Sequence, residues 1–338
     1  MSNLNIYLVA PSFGTTTTPY KERMNEALKV LKKIDANVVI GKNVFKADLP
    51  YASSNALDRA NEIMEAFNSS SNIIWSVGGG EDECEILEYL DFEKLKNKNK
   101  LFIGYSDNTF LIHTLATICN EQSIYGPNAP SLYMYPFKYD ILDTIDMING
   151  KKEFYGYKSF DLTKTDEILP KYHFNKRKII TPYNYVKPFE GTLLGGCLDC
   201  LMLLCGTKFD NTKNYIKDKK IIFYLEACEL TSIHIKRALF QLKNSGWFDT
   251  ISGFLIGRSL NYYDKSFGIT PKDAYIEALK EYNVPILLDV DLGHISPSLP
   301  IKNGAKAKIS YIDNNIKIEY LDWYSIFLLS YLAHMLIA

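Results

Sequence analysis

Short apolar runs alternate along the first third of the chain with stretches whose apolar positions recur every three or four residues. Asn5–Ala10 reads as a strand that runs into Pro11-Ser12-Phe13-Gly14 and a hydroxyl-rich loop. Met24, Ala27, Leu28, Leu31 and Ile34 then mark the buried face of a helix over Tyr20–Ile34. Val38–Ile40, Asn72–Val77 and Leu101–Gly104 read as further strands, separated by helical segments at Ala56–Phe67 and Leu87–Leu95. This alternation predicts a parallel sheet covered on both faces, with ligands collected beyond the carboxyl ends of its strands.

From Lys151 to Lys187 the pattern gives way to mixed charged and aromatic residues around Pro170 and Pro182, which reads as a connector or substrate loop. Periodicity then returns. Gly195–Gly206 opens a helix with Leu198, Leu201, Met202 and Cys205 on one face, and Lys220–Leu225 is a strand that ends at Glu226. Thr231–Leu242 and Pro271–Tyr282 read as helices, Gly253–Ile256 and Pro285–Leu288 as strands. Lys306–Tyr320 reads as two alternating strands around Asp313-Asn314-Asn315. The fold class expected is α/β in two domains. An N-terminal parallel-sheet domain spans 1–150, the connector 151–187, and a C-terminal α/β domain with added β-strands 188–325. The apolar run 326–338 is shorter than the roughly 20 residues that span a bilayer, and reads as a packing or dimerisation tail.

Composition narrows the function. A chain of 338 residues with 47% hydrophobic and 23% charged residues can bury two cores and is not disordered. Lys and Arg total 38 against 39 Asp and Glu, so no net field favours nucleic acid or an anionic membrane. The expected partner is a small molecule or a protein. The amino terminus has no basic region followed by a long apolar core, and the six cysteines lie mostly in apolar patterns, so export is not expected and reduced thiols are.

Ser106 follows the strand Leu101–Gly104 at the start of a helical pattern, where a hydroxyl either caps the helix or serves as a nucleophile at its positive end. Gly78-Gly79-Gly80 follows a strand but is succeeded by Glu81, Asp82 and Glu83, so it is neither a phosphate loop nor a dinucleotide fingerprint. Such a turn is either plain or a source of backbone N–H groups for an oxyanion. Glu226, at the end of an apolar strand, calls for a partner such as an imidazole, whereas Glu229 reads as a first-turn charge. Among five histidines, His294 alone sits in a rigid Gly/Pro loop that presents the ring. His113 and His234 read as structural. Cys197-x-x-Cys200 lies in a helical apolar pattern without a second ligand pair, so neither a metal nor another cofactor is expected.

Together these motifs resemble the LD-carboxypeptidase family of serine peptidases over nearly the whole chain. The resemblance rests on Val9–Gly14, Gly79-Gly80, Gly104-Tyr105-Ser106-Asp107, Tyr125-Gly126-Pro127, Gly195-Gly196, Leu225-Glu226 and Gly293-His294 with Gly304. It implies Ser106 as nucleophile, Glu226 as acid and His294 as base, with an oxyanion hole from Gly79 or Gly80 and the N–H of Asp107. It further implies a cytoplasmic homodimer that hydrolyses an amide near the free carboxylate of a small peptide or peptide-nucleotide conjugate. The microcin-immunity branch is nearer in its Ser-Ile-Tyr-Gly-Pro and Gly-His-Ile-Ser-Pro wording. Alternatives are a murein tetrapeptide LD-carboxypeptidase and a non-enzymatic two-lobe binding module. Cys197 departs from the Asn usual after the glycine pair, and Lys302 from a common Pro before Gly304. No Trp lies between Trp75 and Trp247, where that branch often has one to stack on a base, which leaves Tyr155, Tyr157, Tyr172, Tyr183 and Tyr185 as ring candidates.

Overall fold

The computed structural model describes residues 4–162, 167–263 and 265–322. Six strands form the first sheet, in the order Ile301–Asn303, Ser123–Tyr125, Leu101–Gly104, Ile73–Ser76, Asn5–Val9, Asn37–Ile40. Five run parallel, as the alternating pattern requires. The sixth, Ile301–Asn303, is antiparallel and comes from the far end of the chain, pairing Ile301 with Tyr125. A C-terminal segment therefore completes the N-terminal sheet. Three residues including Lys302 carry no periodicity, so this strand is not visible in sequence.

The second sheet has eight strands, in the order Glu153–Tyr155, Asn315–Tyr320, Lys306–Ile312, Phe189–Cys197, Ile221–Glu226, Ile251–Gly257, Ile286–Val290, Thr181–Tyr183. Its four central strands, from Phe189–Cys197 to Ile286–Val290, are parallel and their apolar residues are almost all buried. Both outer strands come from the segment expected as an irregular connector. The prolines suit that placement, since Pro182 stands on an edge strand, where a missing N–H costs no ladder bond. Gly195 and Gly196 belong to the strand Phe189–Cys197 and not to the following helix, which is confined to Leu198–Leu204. The reason is close approach: a Cβ at Gly196 would stand 2.6 Å from Thr109 Cγ2, on the helix that follows Ser106.

The segment expected as a helix over Leu87–Leu95 is a 3-10 turn at Glu83–Tyr89 and a short helix at Phe92–Leu95, begun afresh by the Asp91 side chain accepting from Lys94 N–H. An additional helix, Tyr139–Ile148, lies between the two halves of the sequence. Residues 326–338 are outside the described part. Among the described residues no helix is long and apolar enough to cross a membrane.

Candidate active site

The strand Leu101–Gly104 delivers the chain through Tyr105 into Ser106, whose φ of 64° is left-handed. A non-glycine residue adopts that conformation at a cost of about 1–3 kcal/mol, and here it turns the hydroxyl out above the strand ends. Ser106 Oγ does not cap the helix. It lies 2.9 Å from His294 Nε2, while His294 Nδ1 lies 2.9 Å from Glu226 Oε2. Glu226 is the last residue of its strand and fully buried, and the His294 side chain is 14% exposed. Nδ1–H donates to the carboxylate, which leaves Nε2 to accept the serine proton.

Each charge in this pair shapes the other. Burial works against an ionised Glu226, yet His294 and the hydrogen bonds it receives hold its carboxyl below the usual range. Burial likewise works against a charged ring, but the Glu226 carboxylate and neighbouring hydrogen bonds raise His294 well above the ordinary imidazole value. Tyr105 packs against the imidazole with ring centroids 5.2 Å apart. Tyr125 donates its hydroxyl to Glu226 Oε1 at 2.6 Å and accepts the Ser106 N–H at 3.2 Å.

The glycine turn is held against the serine. Asp107 Oδ2 accepts from Ser12 Oγ and from the N–H groups of Asp82 (3.0 Å) and Glu83 (2.9 Å), while Phe13 N–H donates to Gly79 O. Buried Arg59 adds bonds to the carbonyls of Pro11 and Asp82 and to the Asp82 carboxylate. A Cβ on Gly79 would sit 3.2 Å from Ser106 Oγ and 3.6 Å from Asp107 N, so the turn passes directly beside the nucleophile position. Gly80 follows, facing Ser12.

The loop that carries His294 is fixed from below by Asp291. Its carboxylate accepts from Arg258 Nη2 (2.6 Å), Lys178 Nζ (2.7 Å) and Tyr157 N–H (2.7 Å), with all three charged side chains nearly inaccessible. Gly293 must lack a side chain, because a Cβ there would meet Glu226 Oε2 at 2.4 Å and its φ is +93°. Asp140, pushed up to about 6 by burial against the hydrogen bonds it accepts, takes the Ser298 N–H, and Ser298 Oγ takes the Gly293 N–H. Asp291→Asn strands two buried cations. Denaturant unfolding of that variant is expected to show a loss of about 3–5 kcal/mol, and an unchanged midpoint would contradict the anchoring role.

The connector tyrosines that sequence offers as ring candidates are mostly packing groups. Tyr157 and Tyr172 give their hydroxyls to Asp143 and Asp140, and Tyr185 packs on Tyr311 and Phe189. Tyr183 lies in an edge strand, and Tyr155 is exposed beside Lys317. The segment's contribution to the site is the Tyr157 and Lys178 grip on Asp291. His113 is buried, bonded to Thr212 and stacked on Trp247, and His234 bonds the capping Thr231. Glu229 is exposed, with its N–H on Asp199. All six cysteines are free thiols, and no group of His, Cys, Asp and Glu suited to hold a metal occurs among the described residues. Sequence reasoning passed over Tyr105, the Tyr125 hydroxyl, the Asp107 carboxylate and Asp291. Tyr105, Tyr125 and Asp107 stand inside quoted motifs and Asp291 stands three residues before His294, but nothing in a motif says which atom bonds which.

The LD-carboxypeptidase N-terminal domain model matches residues 6–126 and the LD-carboxypeptidase C-terminal domain model residues 190–309. The chain belongs to the LD-carboxypeptidase family. As a member it is a hydrolase of the serine carboxypeptidase class. Microcin C7 self-immunity protein MccF of Escherichia coli is 27% identical over 327 residues, covering 92% of this chain and 92% of its own. A solved structure of that self-immunity protein in complex with aspartyl sulfamoyl adenosine superposes with a TM-score of 0.80 at 24% identity, covering 94% of this chain and 96% of that one. Muramoyltetrapeptide carboxypeptidase from Oxalobacter formigenes shares the fold at a TM-score of 0.71 and 23% identity, covering 94% and 99%.

Proposed function

We propose that this LD-carboxypeptidase family member hydrolyses an amide near the free carboxylate of a small peptide or peptide-nucleotide conjugate, with Ser106, His294 and Glu226 as its triad. The observation that carries the reading is the unbroken hydrogen-bond line Ser106 Oγ, His294 Nε2, His294 Nδ1, Glu226 Oε2. Ser106 Oγ attacks the amide carbon as His294 Nε2 takes its proton, and the imidazolium then protonates the departing amine. Water hydrolyses the acyl-enzyme by the same base. Glu226 keeps Nδ1 protonated and stabilises the cationic ring. The oxyanion goes to the N–H of Asp107 and one of the Gly79-Gly80 turn, since the Ser106 N–H is engaged by Tyr125.

The microcin-type conjugate is favoured by the E. coli relative and by the structures of that relative with an aminoacyl sulfamoyl nucleoside. Incubation with an aspartyl-nucleotide phosphoramidate and, separately, with murein tetrapeptide, each followed by mass spectrometry, tests the substrate. Release of the nucleotide moiety is expected. Cleavage of the tetrapeptide alone would move the substrate to cell-wall peptides, and an inert folded protein in both assays would sink the peptidase reading.

The raised His294 also sets a pH dependence. A base must be neutral, so kcat/KM is expected to rise with pH through a limb above the ordinary imidazole value of about 6.5. A limb centred well below that value would contradict the Glu226–His294 coupling.

A further inference from the structure

The chemistry described so far uses Tyr125 only to account for the Ser106 N–H, yet this residue occupies the seam between the two sheets. It ends the strand Ser123–Tyr125, in register with Gly104 on one side and with Ile301 of the C-terminal half on the other. Its ring is buried between Tyr105 and Tyr224, with centroids 6.2 and 5.7 Å away. The hydroxyl has one proton. Because the Ser106 amide can only donate, the phenol oxygen accepts there at 3.2 Å and gives its own proton to Glu226 Oε1 at 2.6 Å.

We propose that Tyr125 is a positioning residue for the hydrolysis, one hydroxyl that ties the strained nucleophile turn of the first sheet to the acid of the second. The inference rests on the triad reading above. It has two consequences. The left-handed Ser106 is held by a bond to its own N–H, so the Oγ stays directed at His294. The carboxylate shares its charge with the phenol through Oε1, which moderates the pull that Oε2 exerts on the imidazolium. Tyr105 and Cys228 face the ring, and Cys197, Tyr224 and Tyr275 face the carboxylate. Burial raises the three tyrosines and Tyr125 itself, and Cys200 together with burial raises Cys197, so the acid-side titration belongs to the Glu226–His294 pair.

A fluorophosphonate tests this without knowledge of the natural substrate. Ser106 Oγ forms the new bond to phosphorus, the phosphorus–fluorine bond breaks, fluoride departs, and the serine proton passes to His294 and then to solvent. Labelling rates are measured against pH for wild type, Tyr125→Phe and a protein with a ring-fluorinated tyrosine at that one position, which keeps the shape and donates more strongly. Tyr125→Phe is expected to slow labelling about ten- to a hundredfold and to move the acid limb up, because an unmoderated carboxylate holds the imidazolium proton longer. The fluorinated residue moves the limb down, and this arm stands even where Tyr125→Phe does not fold. Slower labelling with an unmoved limb, or unchanged labelling in both variants, overturns the positioning role while leaving the triad intact. Wild-type protein that takes no label at Ser106 overturns the triad reading itself.

Discussion

Ser106→Ala is expected to lose about a millionfold in kcat while keeping its fold, since removal of a triad nucleophile costs nearly as much as removal of the whole triad. The change removes the Oγ that hydrogen-bonds His294, and the backbone bond of Ser106 N–H to Tyr125 survives it. Alanine must still adopt the left-handed φ of 64°, as serine does, so the turn pays no new strain. Thermal unfolding should stay near wild type. What remains is the background supplied by the backbone N–H groups and by binding. Near-wild-type turnover in this variant would end the serine-nucleophile account, because Ser106 Oγ is the hydroxyl that hydrogen-bonds His294 Nε2.

Glu226→Gln comes next in size, with an expected loss of about ten-thousandfold in kcat. The amide keeps the volume of the buried acid but removes the charge that stabilises the imidazolium. It also places a donor group where the carboxylate now accepts from both His294 Nδ1 and Tyr125. If the amide N–H₂ faces His294, the ring takes the other tautomer and Nε2 can no longer accept the serine proton. The sign of the pH effect is fixed as well. Without the carboxylate, the largest influence that raises His294 is gone while burial still lowers its pKa, so the acid limb of the residual kcat/KM should move down. A variant with wild-type kcat, or with an unmoved limb, would show that Glu226 does not govern the ring.

The strand-to-helix corner at Ser106, the acid ending the strand Ile221–Glu226 and the loop histidine were legible because each depends on local pattern: an apolar run, its end, and the residue type placed there. The same reasoning overlooked Ile301–Asn303 and Ser123–Tyr125, three-residue strands whose stability comes from neighbours far away in sequence. It read Gly195-Gly196 as the beginning of a helix, since what demands glycine there is Thr109 pressing on the strand from the opposite half. The connector was misread for a related reason. Glu153–Tyr155 and Thr181–Tyr183 are edge strands of three residues each, too short for an alternating pattern to stand out in the sequence. The connector's aromatic residues read as ring candidates for a substrate, but Tyr157 and Tyr172 reach the carboxylates of Asp143 and Asp140, which no local pattern reveals.

The central claim is that Ser106, made nucleophilic by His294, forms the covalent bond in the reaction. Peptide mapping by mass spectrometry of protein treated with a fluorophosphonate locates that bond directly. The account predicts a single adduct, on the peptide that contains Ser106, formed faster as pH rises through the raised His294 pKa and absent from His294→Ala. An adduct on any other residue, or equal labelling of the His294→Ala protein, would contradict it.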